Sequence, residues 1–266
     1  MGIYDHNGDS LNSAYSKSGG GLSAAYAFDG TQIFPSSAGV FLDTAIVTAL
    51  PSITHTGIKQ GACTDGVYIY QFSRNTASVI IYNIAEGTYT TKGLGWSVPY
   101  SHGNDMAYNP NNEHIFLAAM TEDGAVMELD HALNYVKTHY LQDLNGDSFS
   151  VWALCFDQNT RHFLADYGTL VLVYDEQFEL IGSIPSARTV TGTAQGMETD
   201  GDYIYRVWSN PNKIEVASIT GPYVTTITNP MTGEPEAMMY DWINDRYFMS
   251  KNSASDAFYQ VQLKQQ

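Results

Sequence analysis

Five times along this chain an apolar run ends in an aromatic residue or Thr followed by Asp or Asn, and a second, aromatic-rich run comes next. The phrases read QGACTDGVYIY from Gln60, NDMAYNPNNEHIF from Asn104, WALCFDQNTRHF from Trp152, QGMETDGDYIY from Gln195 and EAMMYDWINDRYF from Glu236. Their starts lie 44, 48, 43 and 41 residues apart, a period shared by propeller blades and helical arrays. Within each unit the runs alternate or are rich in aromatics, and Gly, Asn, Asp and Pro separate them, which predicts consecutive antiparallel strands rather than helices. The third unit gives VWALCF, RHFLAD, TLVLVYD and FELIGSI. Four short strands per repeat, arranged radially, make a β-propeller, in which each sheet buries both faces against its neighbours.

The fifth unit supplies only three runs, AMMYD, RYFMS and AFYQVQL, whereas FLDTAIVTAL from Phe41 stands before the first unit without a partner. A strand over residues 41–50 that completes the last blade would close the ring and leave no bare sheet edge at the seam. The sequence therefore predicts an all-β, five-bladed propeller over residues 38–266. Six blades are the alternative, because Tyr26 to Phe34 weakly echoes the unit opening.

Residues 1–36 carry another repeat. Tyr4, Tyr15 and Tyr26 recur every eleven residues, in step with Gly8, Gly19 and Gly30 and with Leu11, Leu22 and Ile33. A Gly in the middle of each unit costs about 1 kcal/mol in a helix, so turns are the better reading. A stretch this short cannot form a core alone, which makes it a linker, a trimerising stalk or a docking segment.

Aligned on their Asp or Asn, the five phrases place Gln60, Asn104, Trp152, Gln195 and Glu236 in one column, and Ala62, Met106, Leu154, Met197 and Met238 in the column two residues on. The expectation is a polar ring with one Trp at the mouth of a central channel, above an apolar ring that plugs it. Polar groups on innermost strands are costly unless paired. They either tie neighbouring blades together or face a ligand on the axis. Trp96, Tyr100, His102, Tyr167, Trp208 and Asn210 belong to loops expected on the same face. Aromatic faces match the apolar side of a sugar ring, and amides and carboxylates match its hydroxyls. The ligand-binding candidates are thus Gln60, His102, Asn104, Trp152, Gln195, Trp208 and Glu236. Asp105, Glu198 and Glu236, with His102 as a proton carrier, are the candidates for glycoside hydrolysis or lysis by paired carboxylates.

Charge narrows the partners. With 12 basic and 28 acidic residues the formal charge is -16, which opposes nucleic acid and anionic lipid. Arg74, Arg206 and Lys251 fall in or just after the second strands of three units, and either converge on an anion or are ordinary surface charges. Cys63 and Cys155 occupy one register of non-adjacent units, so they are read as small buried residues rather than a disulfide. DHNGD from Asp5 and DLNGD from Asp143 begin like calcium loops, but their twelfth positions are Ser16 and Leu154, so Asn-Gly turns explain them and no metal or cofactor is expected. No apolar run approaches the roughly 18 residues of a membrane span. The start lacks the basic and then apolar regions of a secretory signal.

The segments YDHNGDSLNSAY, YSKSGGGLSAAY and YAFDGTQIF resemble short tandem repeats that precede esterase-like or other carbohydrate-active modules in proteins of gut Firmicutes and their phages. QGACTDGVYIY and HGNDMAYNP look like phrases of propeller proteins in the same setting, some of them phage tail or virion-associated. The resemblance implies a modular, surface-directed protein on a virion or the cell exterior, with the repeat as attachment to other virion or surface proteins, or as an oligomerising stalk, and the propeller as working head. It carries no catalytic residues across. Three readings follow: a non-catalytic glycan- or receptor-binding head, a glycosidase or lyase, and a protein-binding scaffold. A cytoplasmic location stays open.

Overall fold

The computed structural model describes residues 40–55, 57–74, 77–94, 102–120, 123–186, 188–253 and 257–265. The eleven-residue repeat over 1–36 and the candidates Trp96 and Tyr100 lie outside them. The chain divides into a compact unit, Leu42–Leu263, and the remainder.

Every described element is a strand. The first, β1, spans Phe41–Ala49. Each recurring phrase then becomes a hairpin that opens a group of strands: β2 (Lys59–Thr64), β3 (Tyr68–Ser73), β4 (Ser78–Asn83) and β5 (Thr88–Gly93); β6 (Gly103–Asn109), β7 (His114–Ala119), β8 (Ala125–Leu129) and β9 (Tyr135–Tyr140); β10 (Leu154–Asp157), β11 (His162–Tyr167), β12 (Leu170–Tyr174) and β13 (Leu180–Pro185); β14 (Thr193–Thr199), β15 (Tyr203–Ser209), β16 (Lys213–Ser218) and β17 (Tyr223–Thr228); and β18 (Glu234–Asp241), β19 (Arg246–Asn252) and β20 (Phe258–Lys264).

The recurring Asp or Asn makes each hairpin. The Oδ1 of Asp65 accepts the Val67 and Tyr68 amides at 2.8 and 2.6 Å, and that of Asp200 accepts the Asp202 and Tyr203 amides at 3.0 and 2.8 Å. Asn109, Asp157 and Asp241 cap their own turns in the same way. A carboxylate or amide that binds its own backbone two residues on is the turn chemistry Asx residues favour. The shared residue at this position is therefore structural.

Strands β2–β5, β6–β9 and β10–β13 form three four-stranded antiparallel sheets. As its position before the first unit predicts, β1 lies beside β20, with Leu50 N donating to Phe258 O at 3.0 Å. The structure adds a contact the repeat pattern does not contain. β1 also bridges β17 in parallel at Thr44 and Thr228, so the last two groups merge into one eight-stranded sheet in the order β14-β15-β16-β17-β1-β20-β19-β18. Two outer edges are covered by one strand, which removes both as templates for pairing with another chain.

Burial falls from the first strand of each group to the last. β2 and β10 are buried throughout, whereas β5, β9 and β13 are mostly exposed or half-buried. The apolar clusters lie between successive sheets. Phe72, Val79, Met106 and Leu117 join the first group to the second, Phe116, Phe156 and Phe163 the second to the third, and Tyr82, Met239 and Phe248 the fifth to the first. Both faces of these sheets are packed, which is why their strands read as near-continuous apolar runs.

Candidate functional site

The polar column owes its position to a bulge repeated in four groups. Pairing of first and second strands slips by one residue between Lys59 and Ala62, Gly103 and Asp105, Ala194 and Gly196, and Pro235 and Ala237. The slips take in Gln60, Asn104, Gln195 and Glu236. A bulge re-aims a side chain out of the ladder, and here it turns these four away from their own sheets. Trp152 holds the fifth place just before β10.

These four side chains are 5, 3, 5 and 1% exposed, and most of their polar atoms bind protein. Asn104 Nδ2 donates to the carbonyls of Trp152 at 2.6 Å and Gln195 at 2.7 Å. Gln195 Nε2 donates to Ser209 Oγ at 2.8 Å and to Glu234 Oε1 at 3.1 Å. Gln60 Nε2 reaches its neighbour's carbonyl at 3.0 Å and Glu236 Oε2 at 3.4 Å. The ring thus ties the first strands of different groups together. Below it Ala62, Met106, Leu154, Met197 and Met238 are all buried, as the plug was expected to be.

Asp105 joins three groups. Its Oδ1 accepts the Met106 amide at 3.0 Å, and its Oδ2 accepts the Leu154 amide at 3.1 Å and the Met197 amide at 3.0 Å. Complete burial pushes its acidity well down, against the pull of those three amides. Glu198, half-buried, accepts the amides of Thr199 at 2.8 Å and Tyr240 at 3.2 Å, and desolvation pushes its pKa up to about 8. Two of the three carboxyls proposed from sequence as catalytic therefore hold backbone amides, including those of neighbouring strands.

Glu236 differs. Its pKa is pushed up to about 9, first by desolvation and then by the charge of nearby Glu234. Glu234 is exposed and takes amide donors from Gln195 and Asn252. Burial and a nearby like charge thus favour the neutral acid form of Glu236. Half-buried His102 lies in the field of Arg74 and Glu234, and its pKa is lowered, chiefly by burial. Glu234 carried no signal in the alignment, because it precedes the recurring phrase.

Beside the ring a cleft of about 500 Å³ is lined by Phe149, Trp152, Asp166, Tyr167, Arg188 and Trp208, with Thr193 and Ala194 leading into Gln195. Trp152 is 40% exposed, while Trp208 is 2% exposed and carries the Arg188 guanidinium 5.3 Å above its ring. Asp166 holds both cations: Arg206 Nε at 3.0 Å and Arg188 Nη2. Arg206 also donates to Ser186 Oγ at 2.8 Å. The sequence reading identified Trp152, Tyr167 and Trp208, but not Asp166 and Arg188, which fall outside every repeated column.

Arg206 is thereby neutralised by Asp166, and Lys251 lies 5.0 Å over the ring of Tyr259. Each has its own local partner. Asp143 Oδ1 accepts the Asn145 and Asp147 amides at 2.8 and 3.0 Å, so DLNGD is a turn. Cys63 and Cys155 are free and buried, and desolvation holds both thiols un-ionised. Among the described residues no group of three His, Cys, Asp or Glu is placed to hold a metal ion, and no helix is long and apolar enough to cross a membrane.

No family model matches the chain, and no curated protein matches it in sequence. Solved structures do match in fold. A glutaminyl cyclase of Myxococcus xanthus superposes with a TM-score of 0.62 at 12% identity, over 83% of this chain and 97% of that one. A luciferin-regenerating enzyme superposes with a TM-score of 0.57 at 11% identity, again over 83% and 97%. At such identities the likeness concerns the fold alone. The chain has an all-β, propeller-like fold built from four-stranded antiparallel units.

Proposed function

We propose that the chain is a five-bladed β-propeller that acts as a non-catalytic glycan- or receptor-binding head in a surface-directed or virion-associated protein. Support for the blade count comes from the first strands: β2 lies against β6 and β18, β10 against β6 and β14, and β14 against β18. In this reading β1 completes the blade of β18–β20.

The observation that carries the binding role is the exposure of Trp152 on a roomy cleft whose other large side chains are held in place. Trp208 is fixed under Arg188, and Arg188 is fixed by Asp166. A rigid aromatic floor with few polar groups suits the apolar face of a sugar and the hydroxyls around it. The hydrolytic alternative has less support. Asp105 and Glu198 each serve backbone amides, and Glu236 is buried with its Oε2 against Gln60 Nε2 rather than open to a substrate.

A glycan-array screen of the chain, repeated with Trp152→Ala once its fold is confirmed, tests the reading. A specific ligand lost in the variant is the expected result. Binding that ignores Trp152, or no binding to any glycan by the folded chain, would transfer the role to a protein-binding scaffold.

A further inference from the structure

Gln60 Oε1 and Glu236 Oε1 are buried and have no hydrogen-bond partner among the described residues, and their side-chain heads touch through Gln60 Nε2 and Glu236 Oε2. Buried polar atoms are normally paired, and leaving one unpaired costs about 1–3 kcal/mol. Both unpaired atoms are acceptors. The nearby amide donors are already engaged, those of Gln60 and Gln195 as described and that of Asn252 with Glu234 at 3.3 Å. Apart from the acid proton of Glu236, the place therefore offers acceptors, its amide donors being engaged.

We propose that the axial mouth is a subsite for a primary ammonium group, held between Gln60 Oε1, Glu236 Oε1 and the Glu234 carboxylate. Three N–H donors meet three acceptors, of which the Glu234 carboxylate is exposed and the other two are buried. The chain already buries an ammonium on oxygens next door. Lys59, 0% exposed, donates its Nζ to the carbonyls of His55 at 3.0 Å and of Ser253, and so points away from this mouth. The other charged or titratable groups around Glu236 are Glu234 on its own strand, Asp105 on β6 with His102 just before it, Arg74 just after β3, which acts on His102, and Lys251 on β19, drawn off onto Tyr259. Gln195, the member from β14, is neutral. Carboxyl groups thus outnumber cations at the mouth, and the formal charge of -16 favours a cation at longer range. Binding at neutral pH displaces the proton of Glu236 to solvent and leaves the ammonium against two carboxylates.

The inference deepens the cleft reading by naming its ligand as an amino sugar, because Ala194 in the cleft wall is followed directly by Gln195, which binds Glu234. Titration calorimetry with a glucosamine tetramer, its fully N-acetylated counterpart and methylammonium, in two buffers of different ionisation enthalpy, separates the two claims. Expected are about tenfold tighter binding of the free amine, release of about one proton, and loss of that preference in Glu236→Gln. Glu234→Gln, at an exposed position, gives a second reading if Glu236→Gln fails to fold. Equal binding of both tetramers, dependent on Trp152 and indifferent to Glu234 and Glu236, overturns the ammonium subsite and leaves the cleft reading standing. Methylammonium binding that needs Glu234 or Glu236, without sugar binding, supports the subsite and removes the glycan. A cation effect reproduced by calcium but not by methylammonium overturns the inference.

Discussion

Gly61 packs backbone to backbone on Asp105: a Cβ at position 61 would lie 2.3 Å from the Asp105 Cα. That contact lets two first strands approach closely enough for Asp105 to reach amides on β10 and β14. The matching positions in the other groups are Ala153, Gly196 and Ala237, so small residues occupy the rest of the column that holds Asp105. At Gly196 a Cβ would meet Glu236 O at 2.9 Å and Asp105 Oδ1 at 3.3 Å. Gly61→Ala is expected to destabilise by more than about 3 kcal/mol, since backbone on the facing strand cannot move aside as a side chain can. Urea denaturation measures it, and a wild-type midpoint would contradict the close approach.

Replacing Asp105 tests the hub itself. Asp105→Ala leaves the Leu154 and Met197 amides without their acceptor, at about 1–3 kcal/mol each. Asp105→Asn keeps the volume and one acceptor oxygen, and should fall between wild type and Ala. Equal midpoints for all three proteins would show that the amides find other partners.

Stability should decline with rising pH. Glu198 and Glu236, whose ordinary pKa is 4.5, titrate at about 8 and 9 in the folded chain. Between the ordinary and the folded values the native state binds more protons than the unfolded state, so each unit of pH weakens it until the folded value is passed. The loss is expected between about pH 5 and 9, with a fall in Tm of at least about 5 °C, given roughly 2–4 °C per kcal/mol in a chain of this size. Glu236→Gln should flatten the slope. A Tm that rises across this window, or a slope unchanged in the variant, would be inconsistent with a protonated Glu236.

The cleft wall depends on Asp166. Asp166→Asn leaves the buried Arg206 guanidinium without its counter-charge, and breaking one partner of a buried pair costs about 3–5 kcal/mol. Arg188 loses the same anchor, so its hold on the Trp208 ring should loosen and the tryptophan emission should change. Retained stability and an unchanged spectrum would place the support of the cleft elsewhere.

Removing the chain through Ala49 exposes the edges of both β17 and β20. Uncovered edges invite pairing with another copy. Size-exclusion chromatography of the truncated protein should show aggregation, and a well-behaved monomer with the wild-type Tm would mean that β1 is dispensable.

Much of this architecture was legible in the chain. The five phrases carry hairpin, turn residue and buried first strand together, because strand alternation and Asx turns are local physics that repeats wherever the local sequence repeats. The lone strand from Phe41 could be matched to the incomplete last group for a similar reason, since only one edge lacked a neighbour. The polar column of Gln60, Asn104, Gln195 and Glu236 was visible too, but not its cause, a bulge whose one-residue slip depends on how two paired strands meet. What only the tertiary structure decided is which groups share a charge or a space. Asp166 meets Arg188 and Arg206, and Glu234 meets Gln195, through separations across groups that leave no period in the sequence. The repeat also gave no hint that β1 would bridge β17, because a single parallel bridge between outer edges arises from how the groups pack and not from any pattern within them.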